Sequence, residues 1–189
     1  MKKRSKVKVS FNSPVILGFT VICVIALILN QLSGGKSNVL LFSVYRSNFS
    51  LLTLFRFFGH VFGHASVSHF MGNIMLILIV GPLLEEKYGS ANIALVIAIT
   101  AFTTGLVHFI LFPGTMLLGA SGVAFSLILL SSFTSIKEGE IPLTFILVAV
   151  LYIGEQVYDG IFVQDNVSNL THIIGGVVGA ACGYKLNRK

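Results

Sequence analysis

The sequence predicts an all-α polytopic membrane protein, a bundle of six transmembrane helices. Hydrophobic residues make up 54% of the 189 residues, charged residues make up only 11%, and the mean hydropathy is +0.90. Such a composition excludes an ordinary soluble domain. Because one span needs about 20 residues, the chain has room for about six spans, and we expect no separate soluble domain.

Apolar runs bounded by glycine, proline or charge define the individual helices. We predict helices over about 14–32, 67–86, 91–112, 120–136, 141–158 and 169–186. The basic tail 1–13 resembles the start of a signal peptide. The apolar run after it is too long for one and no Ala-x-Ala site follows, so we expect the first helix to be retained. Residues 187–189 form a second short tail.

The long segment 33–66 is predicted to be a structured loop that lies partly at the membrane interface. Three aromatic residues, Phe55, Phe57 and Phe58, flank Arg56, a pattern typical of an anchor at the level of the lipid headgroups. Cys23 and Cys182 lie inside apolar runs, where we interpret them as small packing residues without a disulfide.

The distribution of lysine and arginine predicts the orientation in the membrane. With the N-terminus inside, ten cations face inward and three face outward. The inner ones are Lys2, Lys3, Arg4, Lys6, Lys8, Lys87, Lys137, Lys185, Arg188 and Lys189, and the outer ones are Lys36, Arg46 and Arg56. This bias predicts cytoplasmic termini and an external 33–66 loop. Since the cations lie at the ends of apolar runs rather than on one face, we expect no nucleic-acid partner.

Ser121 and His172 are the first candidate site residues, because each lies near the outer end of a predicted span. At 1.5 Å per residue, Ser121 lies about 24 Å above the inner end of its helix and His172 roughly 20 Å above the inner end of its own. His69 and Asn73 lie roughly 18–24 Å above Glu85 by the same rise. Four polar groups are therefore expected in one layer, and an ionisable group inside a bilayer is a functional candidate.

Glycines on the last helix predict which face of it is packed. Gly176, Gly179 and Gly183 follow His172 at helical period, and Gly175 and Gly179 form a G-x-x-x-G pair. Such stripes let two helix backbones approach closely. We therefore expect the His172 face to pack against the helix that carries Ser121.

Several other polar residues have simpler interpretations. The i, i+4 spacing of His60 and His64 suits a metal on a helix face, but no carboxylate or thiolate completes a ligand set. We therefore expect no metal, and predict that both histidines hydrogen-bond the external loop to the second helix. His108 is interpreted as interfacial, and Glu85 as part of a solvated helix connection.

Three separated motifs resemble the rhomboid family of intramembrane serine proteases. They are the run from Arg56 to Asn73, the motif Gly119-x-Ser121-Gly122, and the motif His172-x-x-Gly175-x-x-x-Gly179. The resemblance covers roughly Phe55 to Gly183. Phe55 replaces the family's Trp beside Arg56, Phe125 stands where the family often has a Tyr packed on the catalytic His, and Thr171 replaces the usual Ala.

The resemblance implies a serine endopeptidase that hydrolyses a peptide bond in or next to a transmembrane segment of a membrane-protein substrate. Ser121 would be the nucleophile and His172 the general base of a dyad that acts through an acyl-enzyme. The Asn73 amide, the His69 imidazole and the Ser121 backbone N–H would stabilise the oxyanion. The supporting residues would be His60, His64, Gly119, Gly122, Phe125, Gly175, Gly179 and Arg56.

We also expect no cofactor and the lipid bilayer as surroundings, and the predicted topology implies an active site open to the outer side. The small size, the short tails and the lack of an organelle-targeting segment lead us to expect a bacterial cytoplasmic membrane. Two alternatives stay open: a catalytically silent rhomboid-like protein that binds transmembrane helices, and a histidine-lined metal or proton transporter. The retained serine and histidine favour an enzyme over the first, and a transporter has no need of Ser121.

Overall fold

A computed structural model describes residues 10–134, 143–144, 146–151, 154 and 169–187. A 3-10 turn at His60–Phe62 follows the third helix. The helices are α1 (Pro14–Leu32), α2 (Lys36–Leu40), α3 (Leu51–Gly59), α4 (Val67–Tyr88), α5 (Ser90–Leu111), α6 (Ser121–Ser132) and α7 (Asn169–Asn187). These residues contain no strand, only an isolated antiparallel bridge between Val44 and Leu117. The prediction of an all-α protein is confirmed.

The fifth predicted helix, 141–158, lies largely outside the described residues. Residues 143–144, 146–151 and 154 of it are helical. The acidic residues Glu155, Asp159 and Asp165, and the tails 1–9 and 188–189, also lie outside the described part of the chain.

Three of the described helices, α1, α4 and α5, are long and apolar enough to cross a membrane. The apolar helix α6 is shorter, and it ends at Ser132 instead of at the predicted 136. Its last turn tightens, because the N–H groups of Phe133 and Thr134 donate to the carbonyls of Leu130 and Ser131, three residues back. Such i to i−3 hydrogen bonds are a common way to satisfy the carbonyls at a helix end.

Short polar residues set where the helices begin. The Ser50 hydroxyl accepts the Thr53 N–H at 3.2 Å at the start of α3, and the Ser66 hydroxyl accepts the His69 N–H at 3.1 Å at the start of α4. These are N-caps, which satisfy backbone donors that have no partner inside the helix. Gly89, with φ +83°, makes the sharp turn between α4 and α5.

The apolar core lies between α1, α4, α5 and α6. Buried side chains from these four helices form one cluster, which includes Ile16, Ile77, Ile93 and Leu127. Helix α6 packs against α4, α5 and α7, so the first turn of α6 is surrounded by protein on several sides. Both cysteines are free thiols.

The sequence predicted that Glu85 is part of a solvated helix connection, and this prediction was wrong. Its side chain is only 3% exposed, and its carboxylate accepts the N–H groups of Val15 and Ile16 at 3.0 Å and the Ser90 hydroxyl at 2.7 Å. The first N–H groups of a helix have no partner within it and carry partial positive charge. Glu85 therefore caps α1 and joins it to α4.

Arg56 also differs from its prediction as a headgroup anchor. The residue is 6% exposed, its Nε donates to the Leu40 carbonyl at 2.9 Å, and its guanidinium carbon lies 4.5 Å from the centre of the Tyr45 ring. Leu40 is the last residue of α2, where carbonyls need donors from outside the helix. Arg56 thus joins α3 to α2 inside the loop.

His108 is buried, and the prediction that it is interfacial was wrong. It is 1% exposed, its Nε2 lies 3.2 Å from the Thr115 carbonyl oxygen, and its ring stacks on Phe112 with centroids 5.3 Å apart. The turn that follows α5 folds back over the ring, which the linear pattern of polar and apolar residues does not reveal.

Candidate active site

Ser121 and His172 meet at the N-terminal ends of two packed helices. Ser121 is the first residue of α6, and His172 lies in the first turn of α7. The Ser121 Oγ and the His172 Nε2 are 2.7 Å apart, the distance of a hydrogen bond between residues 51 positions apart in the chain. Both side chains are half-buried. This is the geometry that nucleophilic catalysis requires of a serine and its base.

Glycines on α7 bring the two helices together. A methyl group added at Gly175 would lie 2.5 Å from the Gly122 carbonyl oxygen, and one added at Gly179 would overlap the Ser126 carbonyl oxygen. Farther along, Gly183 faces the ring of Phe133. The backbones of α6 and α7 are therefore in direct contact, as the glycine stripe predicted.

The loop before Ser121 is tied to the rest of the outer layer. The Gly119 N–H donates to the His60 carbonyl at 2.9 Å, and two backbone hydrogen bonds of 2.9 Å pair Leu117 with Val44 of the 33–66 loop. Gly119 has φ +126°, a conformation that side chains rarely adopt. A methyl group at Gly119 would also lie 2.8 Å from the His69 Nε2, so glycine is required here for two reasons.

The side chains of His69 and Asn73, both on α4, lie beside Gly119. The Asn73 Nδ2 would be 3.7 Å from a methyl group at Gly119, and the His69 ring would be closer still. Asn73 is 7% exposed, and among the described residues its buried Nδ2 has no hydrogen-bond partner. A buried donor without a partner costs about 1–3 kcal/mol and calls for an explanation. The structure thus places His69 and Asn73 beside Gly119, two residues before Ser121, whose hydroxyl meets His172.

Two further features surround the Ser121–His172 pair. The Phe125 ring packs against the His172 ring with centroids 5.3 Å apart. The backbone N–H of Ser121 is the first of α6, so it has no acceptor inside the helix and lies at the positive end of the helix dipole. The pair therefore lies beside a group of backbone and side-chain donors.

His60 and His64 do not hydrogen-bond to α4, contrary to the prediction. The His60 Nδ1 donates to the Arg56 carbonyl at 3.2 Å, and its Nε2 lies 3.3 Å from the Thr104 Oγ1 of α5. The His64 Nδ1 donates to the Phe62 carbonyl at 3.1 Å. His64 reaches α4 by ring packing instead, with its centroid 5.2 Å from that of His69.

Burial keeps both of these loop histidines neutral at pH 7. Burial lowers the pKa of His60 and the pKa of His64 to about 4 in each case. A neutral imidazole is still able to bind a metal, but the described residues contain no group of three or more His, Cys, Asp or Glu side chains placed to hold one.

Arg56, the remaining residue predicted to support the site, donates to the Leu40 carbonyl of α2 and does not touch Ser121.

Sequence reasoning missed the threonines behind α6. The Thr100 Oγ1 donates to the Ser126 Oγ at 3.0 Å. The Thr104 side chain packs beside Gly122, and its Oγ1 lies 3.3 Å from the His60 Nε2. Ser131 and Ser132 donate to the Ile128 carbonyl of their own helix, whereas Ser126 joins α5 to α6. The i, i+4 pair of hydroxyls in a largely apolar helix was the available signal.

Comparison with known proteins identifies the family. Residues 52–189 match the family model described as Rhomboid domain. Rhomboid-related protein 1 of Caenorhabditis elegans is 30% identical over 138 residues, which are 68% of this chain and 39% of that protein. Rhomboid protease GlpG of Serratia proteamaculans (strain 568) is 27% identical over 175 residues, which are 90% of this chain and 62% of that protein.

A third relative, Rhomboid-related protein 2 of Mus musculus, is 30% identical over 142 residues, 68% of this chain and 47% of that protein. The matched segments thus span about half the length of these relatives. The matched domain covers most of the chain and includes Ser121, His172, His69 and Asn73. Together with its apolar helices, this shows that the chain is an integral membrane protein that belongs to the rhomboid family.

Proposed function

We propose that this protein is a serine-type intramembrane endopeptidase that hydrolyses a peptide bond in or next to a transmembrane segment of another membrane protein. The observation that carries the proposal is the 2.7 Å separation of the Ser121 Oγ and the His172 Nε2 at the meeting point of α6 and α7. Several of the relatives that match this chain, including the one from Serratia proteamaculans (strain 568), are rhomboid proteases by name, which supports the same reaction class.

The chemistry follows from what each group is able to do. As the Ser121 Oγ attacks the peptide carbonyl carbon, His172 takes the serine proton at Nε2. His172 then donates that proton to the leaving amine, and the acyl group stays on Ser121. A water molecule, which gives a proton to His172 as it attacks, hydrolyses this acyl-enzyme and restores the serine.

The oxyanion of each tetrahedral intermediate needs donors that are already in position. The backbone N–H of Ser121, the Asn73 Nδ2 and the His69 imidazole are the proposed donors. The Asn73 amide supports this role, because it is buried beside Gly119 and has no partner among the described residues. Removal of one such donor typically slows catalysis by about 10²–10³-fold.

We also propose the orientation in the membrane and the domain arrangement. Residues 14–186 would form the membrane domain between cytoplasmic tails 1–13 and 187–189, with the 33–66 loop and the active site toward the outer side. The excess of lysine and arginine at one end supports this topology. A membrane-impermeant maleimide added to intact cells should label the exposed position in Asn48→Cys but not the one in Lys185→Cys. The reverse pattern would contradict the topology.

The substrate helix must open before it is cut. A hydrogen-bonded helix hides its peptide carbonyls, so the segment presented to Ser121 has to be locally unwound. We therefore propose substrates with small or helix-breaking residues near the outer surface of the membrane.

Labelling with a fluorophosphonate tests the activated serine without knowledge of the substrate. In the detergent-solubilised protein, Ser121 should attack phosphorus and displace fluoride, and Ser121→Ala and His172→Ala should both remain unlabelled. The Ser131→Ala variant is the matched control and should label like the wild type, because the Ser131 hydroxyl donates to the Ile128 carbonyl of its own helix. Equal labelling of Ser121→Ala and wild type would contradict the assignment.

An Asn73→Ala variant tests the oxyanion donors. We expect kcat on a reconstituted transmembrane substrate to fall by about 10²-fold while KM changes little, because oxyanion donors act mainly in the transition state. A variant that raises KM and leaves kcat unchanged would show that Asn73 binds substrate instead.

The catalytically silent binder is the alternative that these experiments address. Such a protein would bind a transmembrane segment but would not be labelled, and its binding would be insensitive to Ser121→Ala. The hydrogen-bonded Ser121–His172 pair favours the enzyme, because a binder has no need of it.

A further inference from the structure

A pocket lies in the 33–66 loop, directly after the end of α1. Its volume is about 380 Å³, within the range of about 300–1,000 Å³ that is usual for small-molecule sites. The residues that line it are Gly34, Gly35, Lys36, Val39, Leu40 and Tyr45. The pocket is therefore separate from the candidate active site, because the lining includes neither Ser121 nor His172.

The pocket lies at the level of the lipid headgroups. Helix α1 is long and apolar enough to cross a membrane, and the pocket begins at Gly34, just after the last residue of that helix. A helix of 19 residues is about 28 Å long at 1.5 Å per residue, close to the thickness of the hydrocarbon core, about 30 Å. The chain thus leaves the hydrocarbon where the pocket begins.

The two sides of the pocket differ in polarity. Val39 is 46% exposed and Leu40 is 55% exposed, so an apolar edge faces the surroundings of the helices. Lys36 is exposed on the same helix, α2, three and four residues before them, which places all three side chains close together. A ligand that suits both sides is amphiphilic, with an anionic group beside the lysine and an apolar part beside the valine and leucine.

A second cation lies behind the wall of the pocket. The Arg56 Nε donates to the Leu40 carbonyl, and its guanidinium lies over the Tyr45 ring. Both of these partners line the pocket, whereas Arg56 itself is buried and does not. Arg56 is thus no headgroup anchor, but its charge acts on the pocket, because a buried charge is screened by salt much less than an exposed one.

No carboxylate in the described part of the chain balances these two cations. The acidic residues of that part are Glu85 and Glu86, in the last turn of α4. Glu85 caps the start of α1, whereas Lys36 follows the end of the same helix. Because a buried charge without an opposite charge nearby is costly, an anion from outside the chain is favoured here.

We propose that this pocket binds the headgroup of an anionic phospholipid. Its phosphate pairs with Lys36 and is attracted by the charge of Arg56, and the start of an acyl chain lies on Val39 and Leu40. A free phosphate shares the anionic chemistry but has no apolar part for these two side chains, so the lipid is the favoured source. The proposal does not depend on peptide-bond hydrolysis, because it uses neither Ser121 nor His172.

Native mass spectrometry of the full chain in a mild detergent tests the proposal. Phosphatidylglycerol and phosphatidylcholine with the same acyl chains are added in turn. We expect one phosphatidylglycerol to bind at least about tenfold more tightly than phosphatidylcholine, because each nearby cation favours an anionic lipid by roughly fivefold. Inorganic phosphate, added as a competitor, should not displace the bound phosphatidylglycerol.

Charge variants are the second arm. Lys36→Gln should lower the preference for phosphatidylglycerol by about fivefold. Lys185→Gln, which removes the same charge from an exposed position near the end of α7, should leave the preference unchanged. Arg56→Gln should also lower the preference, whereas Arg56→Lys, which keeps the charge, should retain it. The thermal transition of each variant is measured alongside, and Lys36→Gln decides the matter should Arg56→Gln fail to fold.

A filled pocket is the third arm. Val39→Trp should weaken phosphatidylglycerol binding by at least about tenfold, because the loss of contact with two CH₂ groups alone amounts to about that factor. Val21→Trp, the same change at an exposed position in the middle of α1, should have no effect. Val39→Phe provides a second filling variant should Val39→Trp fail to fold.

Four results would overturn the proposal. The first is equal affinity of the wild type for the two lipids. The second is an equal loss of preference in Lys36→Gln and Lys185→Gln, because the attraction would then come from the net charge of the protein. The third is lipid binding by the Val39 variants that matches that of Val21→Trp. The fourth is displacement of phosphatidylglycerol by inorganic phosphate, because the site would then bind a free anion instead of a lipid.

Discussion

Two helix contacts in this molecule each contain a glycine, yet those glycines face different kinds of atoms. On α7, Gly175 and Gly179 lie against backbone atoms of Gly122 and Ser126. On α4, Gly81 lies against the side chain of Ile16, the nearest atom being its terminal Cδ1. The α6–α7 contact is thus backbone to backbone, whereas the α1–α4 contact is backbone to side chain.

The difference means that one helix contact is rigid and the other is able to adjust. A backbone inside a helix cannot shift without moving every residue around it, so the α6–α7 contact holds Ser121 and His172 at one separation. An isoleucine side chain can change rotamer, and the α1–α4 contact is secured in addition by the Glu85 cap. The candidate active site lies on the contact that cannot adapt.

Gly179→Ala should have the largest effect. Its new methyl group would overlap the Ser126 carbonyl oxygen, so the two helices must separate. We expect a loss of more than about 3 kcal/mol in the free energy of unfolding, together with loss of fluorophosphonate labelling. Ala180→Gly on the same helix is the control. Full labelling of a stable Gly179→Ala protein would show that the contact adapts after all.

Glu85→Ala should weaken the α1–α4 contact and lower the free energy of unfolding by about 2–3 kcal/mol. The change removes a charged acceptor from the half-buried N–H of Val15 and from the buried N–H of Ile16. Glu86→Ala, which removes an exposed carboxylate from the next position, is the matched control and should change stability by less than about 0.5 kcal/mol. Similar thermal transitions in the two variants would contradict the capping role of Glu85.

Acid should destabilise the 33–66 loop, whose His60 carbonyl accepts the Gly119 N–H just before the α6–α7 contact begins. The pKa of His60, which lies in the 33–66 loop, is lowered by burial to about 4, against an unfolded value of 6.5. Between these values the unfolded chain binds a proton that the folded protein does not, so stability falls as the pH is lowered from 6.5 toward 4. His60 alone accounts for a loss of about 2 kcal/mol at pH 5.

The pH dependence of the melting temperature checks this expectation. In His60→Gln the decline between pH 7 and pH 5 should be shallower than in the wild type, whatever the stability of the variant at pH 7. His64, whose pKa is also lowered to about 4, should account for part of the remaining slope. An unchanged slope in His60→Gln would show that His60 is protonated in the folded protein.

Gly81→Ala should have the smallest effect, about 1 kcal/mol or less. The added methyl group meets the Cδ1 of Ile16 at 2.6 Å, and that atom is free to move away. The double variant Gly81→Ala with Ile16→Val removes Cδ1 and should recover part of the lost stability. A loss as large as that of Gly179→Ala would remove the distinction between the two contacts.

Spacing along the chain was enough to predict much of the site. The glycine stripe that follows His172 predicted close packing against the Ser121 helix, and the depth argument put Ser121, His172, His69 and Asn73 in one layer. The first inference depends on the period of a helix, and the second on its rise together with the orientation that lysine and arginine predict.

Three of the errors concern residues whose partners are remote in sequence. Glu85 caps a helix about 70 residues away, the guanidinium of Arg56 turns inward to Leu40 and Tyr45, and His60 meets Thr104 on α5 instead of α4. Polarity alone predicted solvent or lipid headgroups for the first two, because a sequence pattern does not show which buried donors lack an acceptor.

The sequence by itself determined the helical class, the membrane environment and the face of α7 that packs, because hydrophobicity and helical period are properties of a local segment. Only the tertiary structure decided which atoms meet across that face and which polar groups find partners. The period of a helix sets the direction of a side chain from its own axis. The neighbour in that direction is determined by how all the helices pack together.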